Sequence, residues 1–118
     1  MTQPLITRLS KLDAPDREVD AEIDRAFGLL VDIYPLSGPM TDYPEPVGYT
    51  ETKHYTASID AAIALAERVL PGWEYILRRR FAELRHPSKF EHDARGYAFN
   101  TATALLVALL RAKEASHA

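Results

Sequence analysis

A run of basic residues is the strongest candidate for chemistry in this chain. Three consecutive arginines begin at Arg78, and Arg85, His86 and Lys89 follow within a few residues. On a β-strand, Arg78 and Arg80 would point to one side, and Arg85, His86 or Lys89 would return beside them. Such a patch would suit a nucleotide or a nucleic-acid backbone, because guanidinium groups form charge-assisted bonds with phosphate. The alternative is a solvated sheet face or edge, where charges discourage strand pairing.

Polar residues ahead of an alanine-rich segment form the second candidate. Lys53, His54, Thr56 and Ser58 precede a predicted helix, whose first backbone N–H groups and dipole can hold a phosphate or carboxylate. The alternative is that Ser58 only caps the helix and Tyr55 packs in the core. The residue pattern alone leaves both interpretations open.

Two further groups are of types that bind metals or exchange protons. The spacing of His86, His92 and Asp93 matches no established set of metal ligands, and the chain has no cysteine. Asp20 and Asp24 lie one helical turn apart, on a face rich in Glu and Arg that predicts solvated carboxylates. The common hydrolase, NTPase and metalloprotease signatures are also missing. We therefore assign no catalytic residue, no metal ligand and no cofactor, and the sequence favours a protein that is not an enzyme.

Helices and strands must position these residues. Apolar residues at helical spacing predict helices that begin near Leu5, Arg17 and Ile59, and a fourth that Asn100 or Thr101 caps. The fourth is apolar enough to be largely buried, against a sheet or a partner subunit. That apolar surface also makes a homo-oligomer an expectation.

Three strands are predicted between the third and fourth helices, over residues 73–79, 81–86 and 90–97. On the first strand, one face would carry Trp73, Tyr75, Leu77 and Phe81, and the other Glu74, Arg78 and Arg80. The order α-α-loop-α-β-β-β-α predicts a single α+β domain over residues 1–118. In it, a small, mostly antiparallel sheet is sandwiched by helices.

A loop rich in proline and tyrosine separates the second and third helices. The segment Tyr34–Gly48 holds four prolines, too many for a helix or a central strand. Tyr43 and Tyr49 either pin this loop to the body of the protein or face a partner, since aromatic side chains are enriched at interfaces.

Composition sets the broad class of protein. The chain has 118 residues, of which 47% are hydrophobic and 26% charged, as in ordinary globular proteins. The longest apolar run, Ala102 to Leu110, is too short to span a bilayer, so we expect no membrane partner and an intracellular protein. The net charge of −3 argues against nucleic acid as the default partner, although a local basic patch is compatible with it.

Four segments carry a resemblance to a known family. They are Asp16–Ile23, Tyr55–Ala62, Gly72–Trp73 and Thr101–Ala112. In this order they resemble small phage and prophage proteins of the "phage ABA sandwich" type. Ala102 stands where the family often has a proline, which shifts the expected start of the last helix by a residue or two.

The resemblance covers roughly residues 14–112 and implies a sheet between helices. Its motifs are capping and packing patterns, so it implies no site residues. The resemblance implies a non-enzymatic phage accessory protein that acts by binding, in the cytoplasm of a bacterial host cell. One hypothesis is sequestration of a nucleotide immune signal of the host through Arg78, Arg80, Arg85 and the His54–Ser58 segment. The other is an interaction module that binds a host or phage protein through the loop.

Overall fold

The computed structural model describes residues 3–28, 53–89 and 92–117. In chain order the elements are α1 (Gln3–Lys11), α2 (Arg17–Ala26), α3 (Ile59–Val69), β1 (Glu74–Arg78), β2 (Phe81–Arg85), β3 (Ala94–Tyr97) and α4 (Thr101–His117). The predicted α+β class and the order of helices and strands are confirmed. The predicted loop Tyr34–Gly48 and the start of the predicted third strand lie outside the described residues.

Helix α4 is the centre of the fold. All side chains from Ala102 to Leu110 are buried, because the sheet packs on one side of α4 while α1 and α3 pack on the others. This explains why the helix is apolar all round. Its predicted burial is confirmed, and it is achieved within one chain. The apolar surface that suggested a homo-oligomer is therefore already covered, and oligomerisation stays a prediction without that support.

Polar side chains start three of the helices. Asp16 accepts hydrogen bonds from the backbone amides of Glu18 and Val19, and Ser58 accepts one from Ala61. The side-chain oxygen of Asn100 accepts a 2.7 Å bond from the amide of Thr103, so Asn100 caps α4. These bonds satisfy amides that have no partner inside the helix.

The three strands form an antiparallel sheet in the order β1-β2-β3. A two-residue turn, Arg79 and Arg80, joins β1 to β2, so Arg78 lies opposite Phe81. Arg80 has a φ of 60°, the left-handed conformation that closes this turn.

The sheet lies against α4 at very short range. A Cβ atom on Gly96 would come within 2.1 Å of the backbone oxygen of Ala104 and 2.7 Å of the backbone nitrogen of Ala108. Only glycine on β3 and alanines on α4 permit this approach.

The two faces of the sheet differ in character. The face against α4 carries Leu77, Ala82, Leu84, Ala94 and Gly96. The opposite face, called here the outer face, carries Glu74, Ile76, Arg78, Phe81, Glu83, Arg85, Arg95 and Tyr97. The prediction that Phe81 shares a face with Leu77 is wrong, because the tight turn places Phe81 directly opposite Arg78.

Within the described ranges, no helix has both the length and the apolar character needed to cross a lipid bilayer.

Candidate functional site

The segment before α3 binds a carboxylate, and this carboxylate is the side chain of Asp20 in the same protein. The hydroxyl and the backbone amide of Thr56 each donate a 2.8 Å hydrogen bond to the same oxygen of Asp20. Arg17 donates to the other oxygen of Asp20 at 3.0 Å. Thr56 is fully buried by these contacts. It is therefore not available to a ligand, and the interpretation of this segment as structural is supported.

The same segment also binds α4. Asn100 donates from its side-chain amide to the carbonyl of Thr56 at 2.9 Å, and the hydroxyl of Thr103 donates to that carbonyl at 3.3 Å. Every polar atom of Thr56 thus joins α2 or α4. Ser58 caps α3 and His54 is exposed, so the predicted binding residues His54, Thr56 and Ser58 do not form one open site.

The prediction that Asp20 and Asp24 are solvated is wrong. Asp20 is 1% exposed and Asp24 is 7% exposed. The hydroxyl of Tyr55 donates to Asp24 at 2.6 Å. Burial of the Tyr55 ring, together with this hydrogen bond to Asp24, raises the pKa of Tyr55 well above its usual value of 10.0. Both carboxylates are buried acceptors that join α2 to the segment before α3.

The predicted basic patch does not form a single cluster. Arg78 and Arg85 both lie on the outer face, but Arg78 pairs with Phe81 and Arg85 pairs with Glu74, at opposite ends of β2. Four residues along a strand separate these ends by about 13 Å. Arg80 lies in the turn and not on a strand. The expectation that Arg78 and Arg80 share a face, with Arg85 beside them, is wrong because the turn takes only two residues.

Arg85 instead forms a cluster with a residue from β3. The side chain of Glu83 is 8% exposed and lies between Arg85 and Arg95, whose Nε atoms are 3.5 and 3.4 Å from one oxygen of Glu83. Glu83 therefore holds two guanidinium groups side by side. Because both contacts use Nε, the terminal nitrogens of each arginine can still donate to an anion.

An aromatic pair lies at the turn end of the outer face. The rings of Phe81 and Tyr97 are 5.0 Å apart between centroids and tilted by 51°. Tyr97 is 63% exposed, the larger of the two values among the exposed large hydrophobic residues that the structure describes. Arg78, Phe81 and Tyr97 form one row across the three strands.

Sequence reasoning missed Arg95 and Tyr97 as candidates. Their segment is poor strand material, since it includes Gly96. The spacing of Arg95 and Tyr97 could have identified them, because residues two apart lie on the same face of any strand.

The histidines serve a turn. The Nδ1 atom of His86 accepts hydrogen bonds from the backbone amides of Ser88 and Lys89, each at 3.0 Å. Asp93 accepts a 3.0 Å bond from the amide of His86, and the His92 ring lies edge-on to that of His86. No group of three or more His, Cys, Asp or Glu side chains in the described ranges is arranged to hold a metal ion.

The predicted interaction residues Tyr43 and Tyr49 lie outside the described residues, so their role stays a prediction.

In the comparisons with known proteins, no family model, no curated protein and no solved structure matches this chain.

Proposed function

We propose that the protein is a non-enzymatic binding protein that holds a nucleotide on its outer face. The observation that carries the proposal is the row formed by Arg78, Phe81 and Tyr97. The exposed ring of Tyr97, packed on the half-buried ring of Phe81, offers a stacking surface for a base. The guanidinium of Arg78 offers donors for a phosphate.

The distribution of charge supports an anionic ligand. The outer face and its turn carry five arginines against two glutamates: Arg78, Arg79, Arg80, Arg85 and Arg95, with Glu74 and Glu83. The chain as a whole has a net charge of −3. Four acidic residues lie on α2: Glu18, Asp20, Glu22 and Asp24. A local potential of this kind attracts phosphates even when the whole protein is acidic.

The proposal replaces the site expected from the sequence. Arg78 and Arg85 are retained, while Arg95, Phe81 and Tyr97 are added. The segment His54–Ser58 is removed, since the polar groups of Thr56 bond to α2 and α4 and Ser58 caps α3. In a phage accessory protein, which the sequence resembles, binding alone would withhold a nucleotide signal from the host without any chemical step.

Thermal unfolding tests the proposal. The purified protein is melted with inorganic phosphate, a nucleoside, a mononucleotide, a cyclic dinucleotide or a short oligonucleotide. A ligand that binds only the folded state raises the free energy of unfolding by about 2.7 kcal/mol when its concentration is a hundred times its Kd. We expect a rise in Tm with compounds that hold both base and phosphate, and little change with either part alone.

Two tyrosines make a matched pair for the control. Tyr97 lies on the outer face, whereas Tyr75 lies on the other face of the same sheet and is 38% exposed. Tyr97→Ala should abolish the rise in Tm, and Tyr75→Ala should retain it. Equal loss in both variants, or no rise with any nucleotide, would overturn the proposal.

A further inference from the structure

Cationic groups lie on two sides of the aromatic pair. Arg78 lies next to Phe81, which separates it from Tyr97 in the same row. Arg95 precedes Tyr97 by two residues on β3, about 7 Å along the strand, and its guanidinium lies beside that of Arg85. A base stacked on Tyr97 would therefore have a phosphate-binding group on each side.

The basic surface continues around the edge of the sheet. A cavity of about 450 Å³ beside β3 is lined by Asp93, Ala94, Arg95 and Arg111. Arg111 comes from α4 and donates to the backbone oxygen of Arg95 at 2.9 Å. Arginines thus follow one another from Arg78, past the aromatic pair, to Arg95 and then to Arg111.

The shape of the outer face favours an extended ligand. Small-molecule sites are concave and bury most of the ligand's surface. Here the stacking surface is open, with Tyr97 and Arg95 both largely exposed. An open surface with charges on both sides of an aromatic pair suits a chain of nucleotides, in which each base is flanked by two phosphates.

From this arrangement we infer that the ligand is single-stranded nucleic acid, bound along the track Arg78, Tyr97, Arg95 and Arg111. The inference rests on the proposed function and specifies its ligand. In a duplex, the bases are already stacked on one another and cannot lie on Tyr97. The net charge of −3, which argues against nucleic acid for the chain as a whole, is a sum over the whole sequence and is compatible with a basic outer face.

Recognition should tolerate different base sequences. Stacking and phosphate contacts act on every base, so binding should depend on strandedness and salt and little on sequence.

Fluorescence anisotropy of labelled decamers tests the inference with the full chain. The probes are single-stranded oligo(U), oligo(dT) and a 10-base-pair duplex, with a mononucleotide and a cyclic dinucleotide as unlabelled competitors. We expect the single strands to bind at least tenfold more tightly than the mononucleotide, the cyclic dinucleotide and the duplex. Tyr97→Ala should weaken binding by about five- to a hundredfold, the range for loss of one stacked base, while Tyr75→Ala should not.

Salt dependence gives a second, independent readout. Each phosphate contact with a single strand contributes about 0.7 to the slope of log K against log salt. Arg78→Gln should lower the slope by about that amount, as should Arg111→Gln. Lys11→Gln makes the matched control, because Lys11 is an exposed cation on α1 and should leave the slope unchanged.

The outcomes separate the inference from the proposed function. Tight binding of the mononucleotide or the cyclic dinucleotide, lost in Tyr97→Ala, would overturn the single-strand inference and retain nucleotide binding. Binding of no nucleotide-containing probe would overturn both. The inferred track would also be overturned if Arg78→Gln and Lys11→Gln changed the slope of log K against log salt by the same amount.

Discussion

The hydroxyl and the backbone amide of Thr56 both donate hydrogen bonds to one oxygen of Asp20, a residue 36 positions earlier in the chain. A single buried carboxylate therefore holds the segment before α3 against α2. The carbonyl of Thr56 is held in turn by Asn100, at the start of α4. Helices α2 and α4, which are distant in sequence, are thus both joined to Thr56.

Removal of the Thr56 hydroxyl should destabilise the protein. Thr56→Val keeps the shape and the backbone amide but removes the bond to Asp20 and the acceptor for the Asp16 amide. Hydrogen bonds to charged groups contribute about 1.5–3 kcal/mol, so we expect a loss of that size in the free energy of unfolding, measured in urea. Thr7→Val, at an exposed position on α1, is the control. A loss below about 0.5 kcal/mol at Thr56 would contradict this role.

Tyr55→Phe should change stability at high pH. The pKa of Tyr55 is raised in the folded protein by burial and by its bond to Asp24. The folded state thus retains a proton that the unfolded chain releases above about pH 10. This contribution to stability is complete below pH 10 and is lost as pH rises above it. Urea unfolding between pH 8 and 11 should show a steeper fall in wild type than in Tyr55→Phe, and parallel curves would contradict the assignment.

Gly96→Ala should be strongly destabilising. The added Cβ would meet backbone atoms of α4, which cannot move aside as a flexible side chain could. Overpacking commonly costs about 1–3 kcal/mol, and contact with backbone places this substitution at or above the upper end. Gly28→Ala is the comparison, because Gly28 has a φ of 69° but open space around it. If Gly96→Ala costs no more than Gly28→Ala, the close approach of β3 to α4 is not as described.

His86 should be replaceable by asparagine but not by phenylalanine. Its Nδ1 atom accepts two amide hydrogen bonds, and the side-chain oxygen of asparagine occupies a similar position. Phenylalanine keeps an aromatic ring beside Trp73 but has no acceptor. We expect His86→Phe to lose about 1–2 kcal/mol and His86→Asn to lose clearly less. Amide hydrogen exchange at Ser88 and Lys89 should rise only in the phenylalanine variant, and equal exchange in both would contradict the acceptor role.

The fold was more predictable than the site. Helices α1 and α3 have apolar residues at regular spacing, and Ser58 and Asn100 are strong capping residues, so local patterns were sufficient there. The predicted sheet was antiparallel as found. The length of the turn at Arg79 and Arg80 could not be read locally, since neither residue is typical of a two-residue turn.

The length of this turn determines which residues form the candidate site. With a longer turn, Arg78 and Arg80 would lie on one strand face, whereas the two-residue turn aligns Arg78 with Phe81 and Tyr97. Asp20 and Asp24 were misassigned for a related reason. Their burial depends on contacts with Thr56 and Tyr55, more than thirty residues away, which no local pattern reports.

The most direct test of nucleotide binding compares two variants with one probe. Anisotropy of a labelled single-stranded decamer is titrated with wild type, Tyr97→Ala and Tyr75→Ala, all shown to be folded by circular dichroism. Binding that Tyr97→Ala weakens by at least fivefold, and that Tyr75→Ala leaves unchanged, is the predicted result. Equal affinity in all three proteins, or no binding by wild type, would contradict the assignment of the outer face as the surface that binds the single-stranded decamer.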